Sequence, residues 1–389
     1  MRSLKALYER LAIEKNFHAR YTEYKPGDRK VHVLFLSPCM NEAGYYRMIL
    51  PALELNRTDT HAAIVTNIQK WDFNKLFDDY DNPIDFRLLQ WADYVVLPPM
   101  FTDVQYIVHS FRQVNSELQF AMDIDLNYHE LPDYHPDYKK IKPESMVQLI
   151  NNLNKIDILS APNSLITKFY YQLLQKSEEA FSIDFQKYPN LLSHFTFQEI
   201  PQIILNNSAK VRIGIIADPS QASDLKTVED ALTSLLETHK DAIEIIIFGW
   251  TAKVAEHFKM FQKRRITYEK PVPFYEHHAR LNSLAFDIGL LPLVDNTFNI
   301  SSKAFNRFLD YSGSRIPIIA PNLPQVNQLI EDGENGYVAA SQEEWIAKTS
   351  RLITDAALRK AMGQAAFSMA WENYSYTPLA IQRLKSIFI

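Results

Sequence analysis

Short apolar runs recur along the chain, separated by segments with a helical period. The strand candidates are Val31–Ser37, Ala62–Thr66, Tyr94–Leu97, Gln119–Ile124, Ile156–Ser160, Val211–Ala217, Ile243–Phe248, Ile288–Pro292 and Ile316–Ala320. They are β-branched and nearly continuously apolar, the pattern of strands covered on both faces of a parallel sheet. Between them, Leu225–Glu237 carries apolar residues at 225, 228, 232, 235 and 236, the 3.6-residue period of a packed helix. Strand–helix alternation of this kind predicts an α/β fold with helices on both faces of the sheet.

The pattern also repeats faintly. Val31-His-Val-Leu-Phe-Leu-Ser-Pro and Val211-Arg-Ile-Gly-Ile-Ile-Ala-Asp-Pro each read as an opening strand that ends at a proline-marked loop and begins a series of βα units. The polar stretch Asn206-Asn-Ser-Ala-Lys just before the second suits a linker. Two doubly wound, Rossmann-like domains are therefore expected, spanning 1–207 and 208–372 and facing each other across a cleft. Ligands of such sheets bind outside the carboxyl ends of the strands, which directs attention to the loops that follow them.

Length and charge agree with that division. A chain of 389 residues is about two domains long. The balance of 41 Lys plus Arg against 46 Asp plus Glu, a net charge of −5, argues against a nucleic-acid partner, which calls for a basic excess. A single cysteine, Cys39, excludes an internal disulfide framework and a multi-cysteine zinc site. The amino-terminal stretch is charged and amphipathic rather than signal-like, and no apolar run reaches the 18 or so residues of a membrane span. A cytoplasmic protein is expected. Glycine is scarce at 9 residues, against roughly 27 at about 7% usage, so each one has a backbone reason behind it.

The richest segment runs from Phe286 to Ala320. A strand ends at Pro292, a polar loop follows through Asn299, and Ser301 or Ser302 can cap a helix reaching about Ser312. Lys303 then lies in the first helical turn, where free N–H groups and the helix dipole favour an anion. Asp310 falls seven residues later, within about 20° of the same helical face and about 10 Å along the axis. One helix could thus offer a cation to a diphosphate and a carboxylate to ribose hydroxyls. The plainer alternative is an exposed charge cluster in which Arg307 and Asp310 form an (i, i+3) pair worth a few tenths of a kcal/mol.

On this run, Asn299-x-x-x-Lys303-x-x-x-Arg307-x-x-Asp310-Tyr-Ser-Gly313-x-x-Ile-Pro317, the sequence resembles the retaining "group 1" (family 4-like) glycosyltransferases, which have the GT-B fold. Leu329-Ile-Glu-Asp-Gly333-Glu-Asn-Gly336-Tyr-Val resembles the next signature of that class, an acidic glycine turn leading into a short strand. Met362-Gly363 in a late helix adds to the likeness, and Glu372-Asn-Tyr-Ser-Tyr-Thr-Pro is similar to the point where the last helix, here 373–389, crosses back to the first domain. The resemblance covers 211–389. It implies a nucleotide-sugar site holding the diphosphate by Lys303 and the ribose by Asp310, with Asn299, Ser301 and Ser302 alongside and with Lys303 and Arg307 stabilising the departing diphosphate. Ser302 stands where the class commonly has a first glutamate, Arg307 stands where a lysine is frequent, and the loop 218–224 carries no basic residue. Some members use a Ser or Thr hydroxyl at that loop, a role open to Ser220. Gly249 and Trp250, at the carboxyl end of a strand candidate, are placed near the nucleotide. Thr267–Phe274, with Val272, occupies the position where relatives hold the nucleobase through backbone groups.

In the first domain, Pro38-Cys-Met-Asn-Glu-Ala-Gly44-Tyr-Tyr-Arg47 resembles the Gly-Tyr-Tyr-Arg turn of some members. Gly44 suits a backbone that passes close to a ligand or takes φ > 0, and Arg47 suits either an anionic ligand or a helix surface. Ala121-Met-Asp123-Ile-Asp125-Leu-Asn-Tyr-His129 looks like an acidic motif of relatives that handle glycan acceptors, so Asp123, Asp125 and His129 are acceptor-side candidates. Chelation of Mg²⁺ or Mn²⁺ by Asp123-x-Asp125 is the alternative, and no metal is expected while Lys303 and a helix N-terminus neutralise the phosphates. Neighbouring helical residues sit about 100° apart, so His277-His278 reads as a surface pair that cannot converge on one ligand.

The expectation is a glycosyltransferase that moves a sugar from a UDP- or GDP-sugar, a substrate rather than a cofactor, to a glycan or lipid-linked glycan. Peripheral membrane contact would come only through the acceptor. A nucleotide-sugar 2-epimerase of the same fold, with Asp123 and Asp125 as acid and base, is one alternative. A non-catalytic nucleotide- or glycan-binding partner subunit, suggested by Ser302, is the other.

Overall fold

The computed structural model describes residues 4–13, 18–68, 85–176, 181–197, 203–217, 221–249, 266–302 and 304–389. The chain divides into two compact units. The first comprises Met1–His129, Ile141–Asn190 and Tyr376–Ile389, and the second comprises Glu130–Lys140 and Leu191–Ser375. Residues 191–207, assigned on sequence to the amino-terminal domain, group with the second unit. There the amide of Leu192 donates to the carbonyl of Tyr374 (2.7 Å) and the side chain of Asn206 bonds Lys210 and Asp287.

The first unit holds one parallel sheet of β1 (Val31–Ser37), β2 (His61–Asn67), β3 (Tyr94–Leu97), β4 (Gln119–Asp123), β5 (Ile158–Ala161) and β6 (Asp184–Lys187), in the order β2-β1-β3-β4-β5-β6. Its central strands are buried along almost their whole length, as continuous apolar runs require. Helix Gln105–Val114 buries Ile107, Val108 and Phe111, and helix Ser164–Gln175 buries Ile166, Tyr170 and Leu174 in the same core.

The second unit holds β7 (Val211–Ile216), β8 (Ile243–Phe248), β9 (Ile266–Glu269), β10 (Ile288–Leu290), β11 (Ile318–Pro321) and β12 (Gly336–Ala339), again all parallel, in the order β12-β11-β10-β7-β8-β9. Counted from β7, this is the 3-2-1-4-5-6 order of a doubly wound sheet, and the order reverses between β7 and β10. Tyr311 secures that junction. Its hydroxyl accepts from the amide of Ile216 on β7 (2.9 Å) and donates to the carbonyl of Leu290 on β10 (3.0 Å). Gly289 makes room for the ring, since a Cβ there would lie 2.6 Å from Tyr311 Cδ1. The α/β class and the two doubly wound sheets are as the strand–helix alternation predicts.

No helix among the described residues is long and apolar enough to cross a membrane.

Candidate functional site

In the second unit, the loop after β10 lies at the carboxyl edge of the sheet beside the strand-order reversal, where sheets of this kind take their ligands. Ser220, Trp250 and Lys303 lie outside the described residues. Apart from Gly249 and Val272, the remaining candidates on this unit fall into two clusters.

The first cluster fixes the loop after β10. Asp224, fully buried at the start of helix Ala222–Lys226, accepts from the amide of Val294 (2.8 Å) and from Nδ2 of Asn299 (2.9 Å). Asn299 Nδ2 also donates to the carbonyl of Val294 (2.8 Å), and its own amide donates to Oδ1 of Asn296 (2.8 Å). Asn299, inside helix Thr297–Ser302, therefore ties that helix to the loop before it. Neither serine is the helix cap expected from the sequence, because the helix already begins at Thr297. Ser301, near the end of helix Thr297–Ser302, turns its hydroxyl back to the carbonyl of Phe298 (3.2 Å), and Ser302 lies beside it (3.2 Å).

The second cluster centres on Asp310 in helix Ala304–Gly313. Its carboxylate is 0% exposed. Arg307 donates from NH1 to Oδ2 at 2.9 Å, and Nε2 of His277 lies 3.3 Å from the same oxygen. A carboxylate can only accept, so Nε2 carries the proton. Arg307 extends its other arm to Oε1 of Gln221 (3.4 Å). The plain alternative of an exposed (i, i+3) pair is thus overturned: both side chains are buried. Although burial opposes the charge on Asp310, the neighbouring His277, Arg307 and His278 hold its carboxyl well below the usual range.

The histidine pair also departs from expectation. His277 and His278, in helix Phe274–Leu284, are buried, and both face Asp310, with His278 Nδ1 3.9 Å from Oδ1. Their rings are perpendicular with centroids 5.3 Å apart, so each imidazole approaches a different oxygen of one carboxylate. The 100° separation of neighbours excludes parallel approach, not convergence from two directions on a two-oxygen target. Phe274 (4.9 Å, 8°) and Phe248 (5.1 Å, 25°) both stack on His277. Burial pushes His278 down to about 4, with Asp310 opposing and His277 and Arg307 adding to the shift.

Gly249 directly follows β8 with φ +94, and a Cβ there would lie 2.3 Å from the carbonyl of Ala217, so only glycine fits between the ends of β8 and β7. Val272 is half-buried just before helix Phe274–Leu284.

In the first unit, the helical run from Glu42 to Leu55 contains one π turn over Tyr45–Ile49, all five residues of which are buried. Such turns redirect side chains at functional positions. Here the turn carries Arg47 inward. Its Nε and NH2 each donate to Asp123 at 2.7 Å, and NH1 donates to the carbonyl of Tyr188 (2.5 Å) and to Oδ1 of Asn190 (3.0 Å). Ser160 donates to the same carboxylate. Burial works to lower the pKa of Arg47, but the Asp123 carboxylate outweighs it and raises it. Neither the anion-binding nor the helix-surface position foreseen for Arg47 is what forms, because Arg47 and Asp123 are spent on each other. Gly44 has an ordinary helical φ of −59. The close approach it permits is to the chain itself, since a Cβ would lie 2.0 Å from the carbonyl of Cys39.

Asp125 accepts from the hydroxyl of Tyr128 (2.7 Å). Burial first, and then the charge of Asp123, raise its pKa against the opposing effects of Tyr128 and Arg47. His129 packs on Phe169 and Tyr170, and burial lowers its pKa. Among the described residues no three His, Cys, Asp or Glu side chains form a group able to hold a metal ion.

No protein-family model matches the sequence, and no curated sequence matches it. Solved structures do. An S. aureus TarM mutant in complex with fondaparinux, alpha-GlcNAc-glycerol and UDP has a TM-score of 0.52 at 15% identity, covering 79% of this chain and 59% of that one. Sucrose-phosphate synthase from Thermosynechococcus elongatus has a TM-score of 0.57 at 10% identity, covering 92% and 98%. Anabaena HepE in complex with UDP and glucose has a TM-score of 0.57 at 11% identity, again covering 92% and 98%. This chain thus spans about 59% of the length of TarM. The fold these likenesses define is GT-B.

Sequence reasoning missed Asp224, Gln221, Tyr311 and the histidine pair as members of these clusters. The signal for Tyr311 was its place one residue after Asp310, facing the glycine at 289. Nothing in the local sequence ties Gln221 or Asp224 to helices some 80 residues away.

Proposed function

We propose that the chain is a glycosyltransferase that moves a sugar from a UDP- or GDP-sugar to a hydroxyl of a glycan or lipid-linked glycan, with retention of anomeric configuration. The observation that carries this reading is the built segment after β10, where Asp224 bonds Val294 and Asn299 beside the strand-order reversal, a few residues before Lys303. The GT-B neighbours seen with UDP, TarM and HepE, support the same reading.

In this reading Lys303 supplies positive charge to the departing diphosphate, the step at which charge develops and at which prearranged cations contribute most. Arg307 is a positioning residue. Buried and bonded to Asp310 and Gln221, it fixes helix Ala304–Gly313 rather than touching phosphate. Asp310 is its anchor, its carboxylate already facing Arg307, His277 and His278. No metal is required, and retention rests on the family resemblance.

The test is release of nucleoside diphosphate by the full chain across a panel of UDP- and GDP-sugars with glycan acceptors. Acceptor-dependent release is expected. Tight nucleotide binding with no turnover on any pair would favour a non-catalytic binding subunit, the reading that Ser302 in place of a carboxylate supports.

A further inference from the structure

After β4 and the 123–129 motif, the chain leaves the first unit at His129, contributes Glu130–Lys140 to the second, and returns at Ile141. This excursion seats two consecutive side chains against the loop that follows β10. The hydroxyl of Tyr134 accepts from Nδ2 of Asn296 at 2.7 Å. The ring of His135, itself buried, meets that of Phe298 edge-on with centroids 5.3 Å apart and planes at 70°.

Asn296 uses both ends of its amide. While Nδ2 reaches Tyr134, Oδ1 accepts from the amide of Asn299 (2.8 Å), the geometry of a helix cap for Thr297–Ser302. Its carbonyl accepts from the amide of Ile300 (3.0 Å). Asn299 in turn bonds Asp224 and Val294. One chain of hydrogen bonds therefore runs Tyr134–Asn296–Asn299–Asp224. The donor-only amide of Asn299 fixes which end of the Asn296 amide faces the helix, and the Tyr134 hydroxyl, accepting from Nδ2, holds the other end.

We infer that Tyr134 is a positioning residue for the 294–299 segment: by holding the Asn296 side chain it steadies the cap of helix Thr297–Ser302, the helix that precedes Lys303. The link to ligand binding rests on reading that loop as the nucleotide-sugar side. The link to loop order does not.

The test uses the full chain and two readouts. Tyr134→Phe deletes the hydroxyl and keeps the half-buried ring. Amide hydrogen exchange should speed up at Asn299 and Ile300 and stay unchanged in the sheet of β7 to β12. Affinity for UDP or GDP, whichever the wild type binds, should fall about fivefold, the scale of one net hydrogen bond. Asn296→Ala should have an equal or larger effect, and adding Tyr134→Phe to it should change nothing further, as for residues acting in one chain. Unchanged exchange at Asn299 and Ile300, unchanged nucleotide affinity, or additive effects of the two substitutions would overturn the inference. If the wild type binds neither nucleotide, the proposed function fails, and the exchange readout alone still decides whether Tyr134 orders the loop.

Discussion

Nε2 of His277 lies 3.3 Å from Oδ2 of Asp310, and His278 approaches the other oxygen of the same carboxylate. Two adjacent histidines and one arginine thus surround a single buried acid, and this makes the second unit sensitive to mild acidification.

The sign follows from His278. Burial lowers its pKa from 6.5 to about 4. Between those values the unfolded chain takes up a proton that the folded chain refuses. Stability therefore falls as pH drops through that window, by up to about 3 kcal/mol at its lower end. Asp310 does not contribute there, because a depressed carboxylate loses its stabilisation only below its ordinary range near 3.8. Urea midpoints at pH 7.5, 6 and 5 should decline in the wild type and decline less in His278→Asn. The slope left over comes from His61 and His129, both also lowered by burial. Equal slopes in wild type and variant would contradict the assignment.

Tyr311 joins β7 to β10 through its hydroxyl. Tyr311→Phe should cost about 1–3 kcal/mol, because the buried amide of Ile216 loses its partner there. Gly289→Ala should cost about 1–3 kcal/mol by overpacking against the same ring. Chemical denaturation checks both, and a loss below about 0.5 kcal/mol in either, the range of an indifferent surface change, would refute the role.

In the first unit, Arg47→Met should destabilise by about 3–5 kcal/mol, since it leaves the buried Asp123 carboxylate without its fork. Arg47→Lys should recover only part of this, because an ammonium cannot reproduce two parallel bonds to Asp123 together with those to Tyr188 and Asn190. Urea unfolding of the three proteins decides it. Full recovery by lysine would show that charge alone, not the bidentate geometry, holds the site.

The interior of the fold was legible in the sequence and its rims were not. Val31–Ser37, Tyr94–Leu97 and Ile243–Phe248 match β1, β3 and β8 residue for residue, because strands covered on both faces are written as apolar runs. Asp184–Lys187 and Ile266–Glu269 escaped notice because they are edge strands, β6 and β9, half-exposed and half-polar. The helix carrying Arg307 and Asp310 was foreseen with its spacing. What covers it was not, since burial of that pair comes from His277 and Gln221, far away in sequence. Likewise the acidic motif after β4 was visible, while its pairing of Asp123 with Arg47 depends on a π turn that no local pattern announces.

On the proposed reading, Lys303, which follows helix Thr297–Ser302 in the chain, grips the diphosphate of a sugar nucleotide. Calorimetric titration of the full chain and of Lys303→Ala with UDP- and GDP-sugars tests it most directly. Saturable binding of one base class is predicted, weakened in Lys303→Ala by about 1.5–3 kcal/mol, the scale of a charge-assisted hydrogen bond. Absence of binding to every sugar nucleotide, or equal affinity in the two proteins, would contradict it.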